Sequence, residues 1–186
     1  MALKPAICHA ASAGAVVAVA ACLSLCPMSG ARAEPAVSIE KSFAGSLTTL
    51  PSEALSVGGS FYVPAYSSVS MSQGKLRADF SVTLSVHNAS ETRPLVLKRI
   101  VYFDTAGKQV ENYLTSPVAL KPFSTVEVPI AAADVRGGTG ANFVVDWAAA
   151  GEIAEPVVEA LMVGDVGAAH YAFISQGRPI RIVGKN

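Results

Sequence analysis

Leu76-Arg77-Ala78-Asp79-Phe80-Ser81-Val82-Thr83-Leu84-Ser85-Val86-His87 alternates apolar and polar side chains from end to end. Leu76, Ala78, Phe80, Val82, Leu84 and Val86 share one side of a period-2 pattern, and the polar residues share the other. That is the pattern of an antiparallel strand with one face buried. The run stops at Asn88-Ala89-Ser90-Glu91-Thr92-Arg93-Pro94, whose side chains bond their own backbone or fix φ and so make a turn.

Beyond that turn Leu95 to Phe103 reads as a second strand, with Leu97, Arg99, Val101 and Phe103 on one face and Val96, Lys98, Ile100 and Tyr102 on the other. It ends at Asp104-Thr105-Ala106-Gly107, where Asp first and Gly fourth suit a type I turn. A third segment, Val118 to Pro129, lies between prolines and is expected at a sheet edge, since proline cannot donate to a ladder. Further strands are expected at Ser60–Val69, Val110–Leu114, Ser124–Ile130, Ala141–Ala148, Pro156–Val163, and Tyr171–Ser175 with Pro179–Val183. Ile153 to Leu161 has length for a helical turn or two, but its valines favour strand. Seven or so short strands separated by turn signals predict an all-β fold, an immunoglobulin-like antiparallel β-sandwich spanning residues 57–186. Residues 34–56 form a lead-in of undefined structure.

The first 33 residues read as a cleaved signal peptide: Lys4 gives a positive start, Ala10 to Leu25 is apolar, and Ala31-Arg32-Ala33 is a small-x-small cleavage site. The expected cleavage follows Ala33, which makes the protein periplasmic or secreted. Val19-Ala20-Ala21-Cys22 is the rival processing site, at which Cys22 would be lipidated and the protein anchored to a membrane. All three cysteines, Cys8, Cys22 and Cys26, lie in this leader. A chain cut after Ala33 therefore has no disulfide, thiolate metal site or cysteine nucleophile. Loss of Lys4 and Arg32 leaves a small acidic excess, which argues against nucleic acid and against a polybasic membrane patch. No transmembrane span is expected after the leader.

Phe61-Tyr62-Val63-Pro64-Ala65-Tyr66, Ile100-Val101-Tyr102-Phe103-Asp104-Thr105 with Gly107, Gly137 to Phe143 with Trp147, Glu155-Pro156-Val157-Val158-Glu159-Ala160 and Ser175-Gln176-Gly177-Arg178-Pro179 occur together. In combination they resemble the uncharacterised bacterial family called domain of unknown function 3124, over roughly Val57 to Ile180. The resemblance implies an exported, single-domain bacterial protein and brings no activity, cofactor or catalytic residue with it. Ser81 to Pro129 is also similar to small extracytoplasmic sandwich modules of the FxLYD type, which implies a structural or binding role.

Motifs that carry chemistry are weak here. Ser72-Gln73-Gly74-Lys75 spells the S-x-x-K of penicillin-recognising enzymes, but Gly74 and the strand after it place it in a turn. Gly137-Gly138-Thr139-Gly140 leads into a strand rather than a helix, so a tight turn with positive φ is expected instead of a phosphate loop. His87 and His170 are the histidines beyond the leader, and no His-x-Met pair accompanies them. Glu155 and Glu159 flank an apolar strand, and Asp146 precedes Trp147, with nothing to bring two carboxylates together. Trp147 is in phase with Phe143 and Val145, which predicts core; Tyr62 and Tyr66 share one face around Pro64, where core or rim packing is expected and an exposed aromatic pair for a ligand is the alternative.

These observations favour a non-catalytic binding or structural module of the bacterial cell envelope, with no cofactor and with an unknown envelope protein or small ligand as partner. Loops at one end of a sandwich are the expected binding place, and the polar candidates are Arg136, Thr139, Asn142 and Arg178. The alternative is a periplasmic metal carrier or small hydrolase using His87 or His170.

Overall fold

The structure, a computed structural model, describes residues 38–184. The expected signal peptide, cleavage at Ala33, lipidation at Cys22 and all three cysteines lie outside the described residues.

Among the described residues twelve strands form two antiparallel sheets, with one four-residue α-helix, α1 (Ile39–Ser42). In spatial order the first sheet holds β1 (Leu47–Thr48), β7 (Val118–Leu120), β5 (Leu95–Phe103), β9 (Asn142–Ala149), β2 (Val57–Pro64) and β12 (Arg178–Val183), with β6 (Gln109–Asn112) also on β5. The second holds β11 (Ala169–Gln176), β10 (Val157–Val166) and β4 (Leu76–His87), and β3 (Ser68–Met71) and β8 (Thr125–Ile130) pair with successive lengths of β4.

The strand count exceeds the expected seven for a physical reason. Ser60–Val69, read as one strand, is cut into two strands that join opposite sheets, and the segment Val118–Pro129 is divided likewise: the strand expected at Ser124–Ile130 is present as β8, while Val118–Leu120 forms the separate β7 of the other sheet. Pro64 ends β2 before the crossing to β3, and Pro122 lies in the crossing from β7 to β8, where Phe123 adopts φ 56°. A residue without an N–H, with φ fixed, cannot continue a ladder there. A third crossing, from β11 to β12, is made by Gly177 alone. Its N–H donates to Val158 O at 2.7 Å, and a Cβ would stand only 2.8 Å from that same oxygen.

The core lies between the sheets. Phe80, Val82, Leu84 and Val86 of β4 are buried as their alternation predicts, and they join Val126, Val128 and Ile130 of β8 and Val158, Ala160 and Met162 of β10. Phe61, Val63, Phe143, Val145 and Trp147 come from the first sheet, so Trp147 is a core residue. β5 departs from strict alternation. Its register against β9 shifts between Leu97 and Arg99, and the core takes Leu95 and Leu97 before the bulge but Ile100 and Tyr102 after it. One extra residue inverts the phase of every side chain that follows. The lead-in contributes too: Ile39 is fully buried and Leu47 pairs with Leu120.

Across the outer face of the first sheet, Ser60 donates to Asp146 Oδ1 at 2.6 Å and Arg99 Nε donates to Oδ2 at 2.8 Å, tying β2, β9 and β5 at one level. Asn88, buried at the end of β4, ties the two sheets. Its amide nitrogen donates to Arg93 O at 2.8 Å, Lys121 O at 3.0 Å and Leu120 O at 3.3 Å, while its Oδ1 accepts the Ser90 N–H at 3.0 Å. Asn88→Ala is expected to cost about 1–3 kcal/mol, because buried carbonyls lose their donor. Asn88→Asp turns a carboxylate toward the same carbonyls, so its folded-state pKa is raised above the unfolded value. Its deficit relative to wild type should therefore shrink as pH falls through that raised pKa, measurable by urea unfolding at a series of pH values.

Candidate functional site

β9 runs from one end of the first sheet to the other, and the two ends differ. At the end where it begins, Asn142 stands opposite Pro64 and Phe103, and Arg178 stands opposite Tyr62. Arg136 and Thr139 belong to the loop that enters β9, so all four residues chosen from sequence fall at this end.

That end is occupied by its own side chains. Arg136 donates through Nε and Nη2 to the two oxygens of Asp134, at 2.8 and 2.7 Å, and its other nitrogen lies 4.0 Å from Glu111. Bonding from Arg136 holds the Asp134 carboxyl below its ordinary pKa, and the pair raises that of the guanidinium. Arg136 is thus an anchor for the loop. Thr105 fixes the next turn: its hydroxyl donates to Gly137 O at 3.0 Å and accepts the Gly140 N–H at 2.9 Å. Gly138 takes φ 72°, as expected for a tight turn, and any Cβ on Gly137 would overlap the buried Tyr102 ring. Burial raises the phenols of Tyr102 and Tyr113, and the Tyr102 hydroxyl has no hydrogen bond of good geometry, the neighbouring Ser67 hydroxyl being bonded to Gly138 O. Thr139 and Arg178 remain exposed.

The opposite end, where β9 finishes, is open. A groove of about 770 Å³ is lined by residues 48–53, 92–94 and Ala150. Thr48, Thr49, Ser52 and Thr92 bring hydroxyls, Glu53 one carboxylate and Arg93 one guanidinium; among the described residues no carboxylate pairs with Arg93. The Arg93 side chain lies over Gly151, where a Cβ would be 3.2 Å from its terminal nitrogen. Its backbone is held firmly, with N–H to Ser90 Oγ at 3.0 Å and C=O to Asn88. A smaller hollow of about 390 Å³ lies over Trp147 and includes Glu152, Glu155, Ile153 and Ile182. Sequence reasoning missed this end because its lining comes from segments far apart in the chain. The available signals were the Thr48-Thr49 and Pro51-Ser52-Glu53 run and the Thr92-Arg93-Pro94 turn.

The histidines do not meet. His87 Nδ1 bonds Thr125 Oγ1 at 2.8 Å, and β10 sets His87 opposite Val157 but His170 opposite Asp165. Eight residues of strand separate those positions, about 27 Å. Among the described residues no three His, Cys, Asp or Glu side chains cluster as metal ligands. Ser72 and Gln73 have positive φ in the turn between β3 and β4, so Ser72 and Lys75 are not one turn apart on an α-helix. Tyr62 lies on β2, whereas Tyr66 lies beyond its end with its ring 6.1 Å from that of Phe173. Among the described residues no helix is long and apolar enough to cross a membrane.

Asp134 has a pH consequence. Its lowered folded-state pKa means that the Arg136 pair stabilises the fold above the unfolded-state pKa of about 3.9 and is lost as pH falls through the folded value. Asp134→Asn should lower stability at neutral pH by about 1 kcal/mol or less, since the pair is partly exposed, and should reduce the loss on acidification. Thermal unfolding of both proteins from neutral to acid pH measures this.

None of the curated proteins compared with the chain matches it. Among solved structures, the crystal structure of Thermotoga maritima 1070 is similar at 11% identity and a TM-score of 0.38, covering 69% of this chain and 96% of that one. The family described as a protein of unknown function, DUF3124, matches residues 58–180, from within β2 to within β12; the match takes in the loop of Arg136 and the turn of Arg93 but not β1 or residues 48–53 of the groove. The chain belongs to that family, the one its sequence phrases resemble.

Proposed function

We propose that this protein is an exported, non-catalytic binding module of the bacterial cell envelope, and that it takes a carboxylate-bearing, hydroxyl-rich ligand in the groove beside Arg93. The groove carries this reading: four Ser/Thr hydroxyls, the Glu53 carboxylate and one guanidinium that, among the described residues, has no carboxylate partner surround about 770 Å³ on loops fixed by two packed sheets. A guanidinium matches a carboxylate with two parallel hydrogen bonds, and the hydroxyls both donate and accept toward a sugar. An acidic oligosaccharide is the ligand class that fits. The scaffold is immunoglobulin-like in this reading, reached by the secretory route with cleavage after Ala33, and lipidation at Cys22 is the alternative form of the same exported protein. The Arg178 end, with Thr139 and Asn142, is the second place for a partner, with Arg136 serving to shape its loop.

The metal-carrier or hydrolase reading on His87 or His170 has less support, since His87 is bonded to Thr125 and the two rings lie on distant parts of one sheet face.

Calorimetric titration with uronic-acid oligosaccharides and their neutral counterparts tests the groove. Saturable binding of the acidic series, weakened at least tenfold by Arg93→Ala with the unfolding midpoint unchanged, is the expected result. Binding that ignores that substitution, or prefers neutral sugars, refutes the assignment. The intact mass of protein recovered from its own envelope fraction separates a chain beginning at Glu34 from one lipidated at Cys22.

A further inference from the structure

The two sheets treat their outermost strands differently. β12, at the edge of the first sheet, carries Arg178, Pro179 and Arg181 and a register shift between Pro179 and Arg181. Charge, proline and a bulge are the devices that keep an exposed edge from pairing with another chain. β11, at the edge of the second sheet, has none of them. Ala169-His170-Tyr171-Ala172-Phe173-Ile174-Ser175-Gln176 contains no Lys, Arg, Asp, Glu or Pro, and it pairs with β10 through eight residues without a shift.

The bonding capacity of that edge follows from strand parity. Gly177 N–H donates to Val158 O of β10, so residues in phase with Gly177 bond inward along the sheet, and the alternate residues face the other way. The N–H and C=O groups of His170, Ala172, Ile174 and Gln176 are therefore directed to the open edge. Among the described residues none of them bonds to a turn or loop. Beside the edge, the outer face is apolar: Leu161 stands opposite Ile174 and Val163 opposite Ala172, with Ile174 57% and Val163 45% exposed.

We propose that β11 pairs antiparallel with β11 of a second copy about a two-fold axis at Phe173, joining two second sheets into one. This register sets Ala172 opposite Ile174 of the second copy and His170 opposite its Gln176. It uses every backbone group directed to the edge, because all four residues have the same parity as their mates. It also keeps outer faces together, so the two apolar stripes become continuous, with a small alanine meeting a large isoleucine. The absence of charge on the strand is what permits self-pairing, since a charged edge would meet its own sign across the axis. An eight-residue strand is about 27 Å long, so this is a small interface whose dimer dissociates on dilution.

Sedimentation velocity of the purified full chain over a wide concentration range tests the proposal. A reversible monomer–dimer equilibrium is expected, with association weakened at least tenfold in affinity by Ile174→Lys, an exposed site away from the core. Ala172→Pro removes an edge-facing N–H while sparing the bonds to β10, and it should abolish the dimer. Hydrogen exchange supplies a readout on the unaltered chain: amides of His170, Ala172, Ile174 and Gln176 should gain protection as concentration rises. A monomer at every concentration, a dimer indifferent to Ile174→Lys, or edge amides that stay unprotected in the dimer overturns the assignment.

Discussion

The side-chain amide of Asn88 meets a demand that neither sheet meets for itself. Where β4 ends, the chain must leave the second sheet for the first, and the corner between β7 and β8 makes the opposite journey at the same place. Carbonyls of Arg93 and Lys121, which belong to no strand, turn toward the Asn88 amide there, beside that of Leu120 at the end of β7. Buried acceptors left without donors would cost more than the bonds of the corner return. One residue with two N–H groups and an acceptor resolves this, and the pairings nearby, Thr125 with His87 and Leu95 with Leu120, share the fixed point.

Much of the architecture was legible because burial has a period. The β4 alternation appears in the fold residue for residue from Ala78 to Val86, and Phe143, Val145 and Trp147 reach the core in the phase that their spacing indicates. The errors arise where period and geometry part. The bulge near Lys98 has no mark in the sequence, so Ile100 and Tyr102 were assigned to the face opposite Leu97 and instead share the core with it. Pro64 and Pro122 were visible, but proline announces only that a ladder stops. That the chain then changes sheets depends on what waits on the other side.

The candidate site was less legible for the same reason. Arg136 looked like an available loop cation, yet Asp134, two residues earlier, receives both of its bonds. Such a clasp depends on loop conformation, which composition does not express. The groove at the other end assembles residues 48–53 with residues 92–94 because β1 and β5 flank β7, an order that only the completed sheet defines. One end of the sandwich is braced by its own charges and glycines, while the other leaves hydroxyls and a guanidinium facing solvent.

The hydrogen bond from Ser60 to Asp146 spans 86 residues of sequence, and its span has a consequence for the order of assembly. β2 comes early in the chain, but its sheet neighbours are β9 and β12, both in the last third. Until those strands exist, β2 has nowhere to lay its ladder. Contacts of such long separation close slowly, because the loop entropy is lost before any bond compensates it. A growing chain would thus remain unfinished until nearly all of it had emerged, the condition in which a polypeptide can still be threaded through a narrow pore.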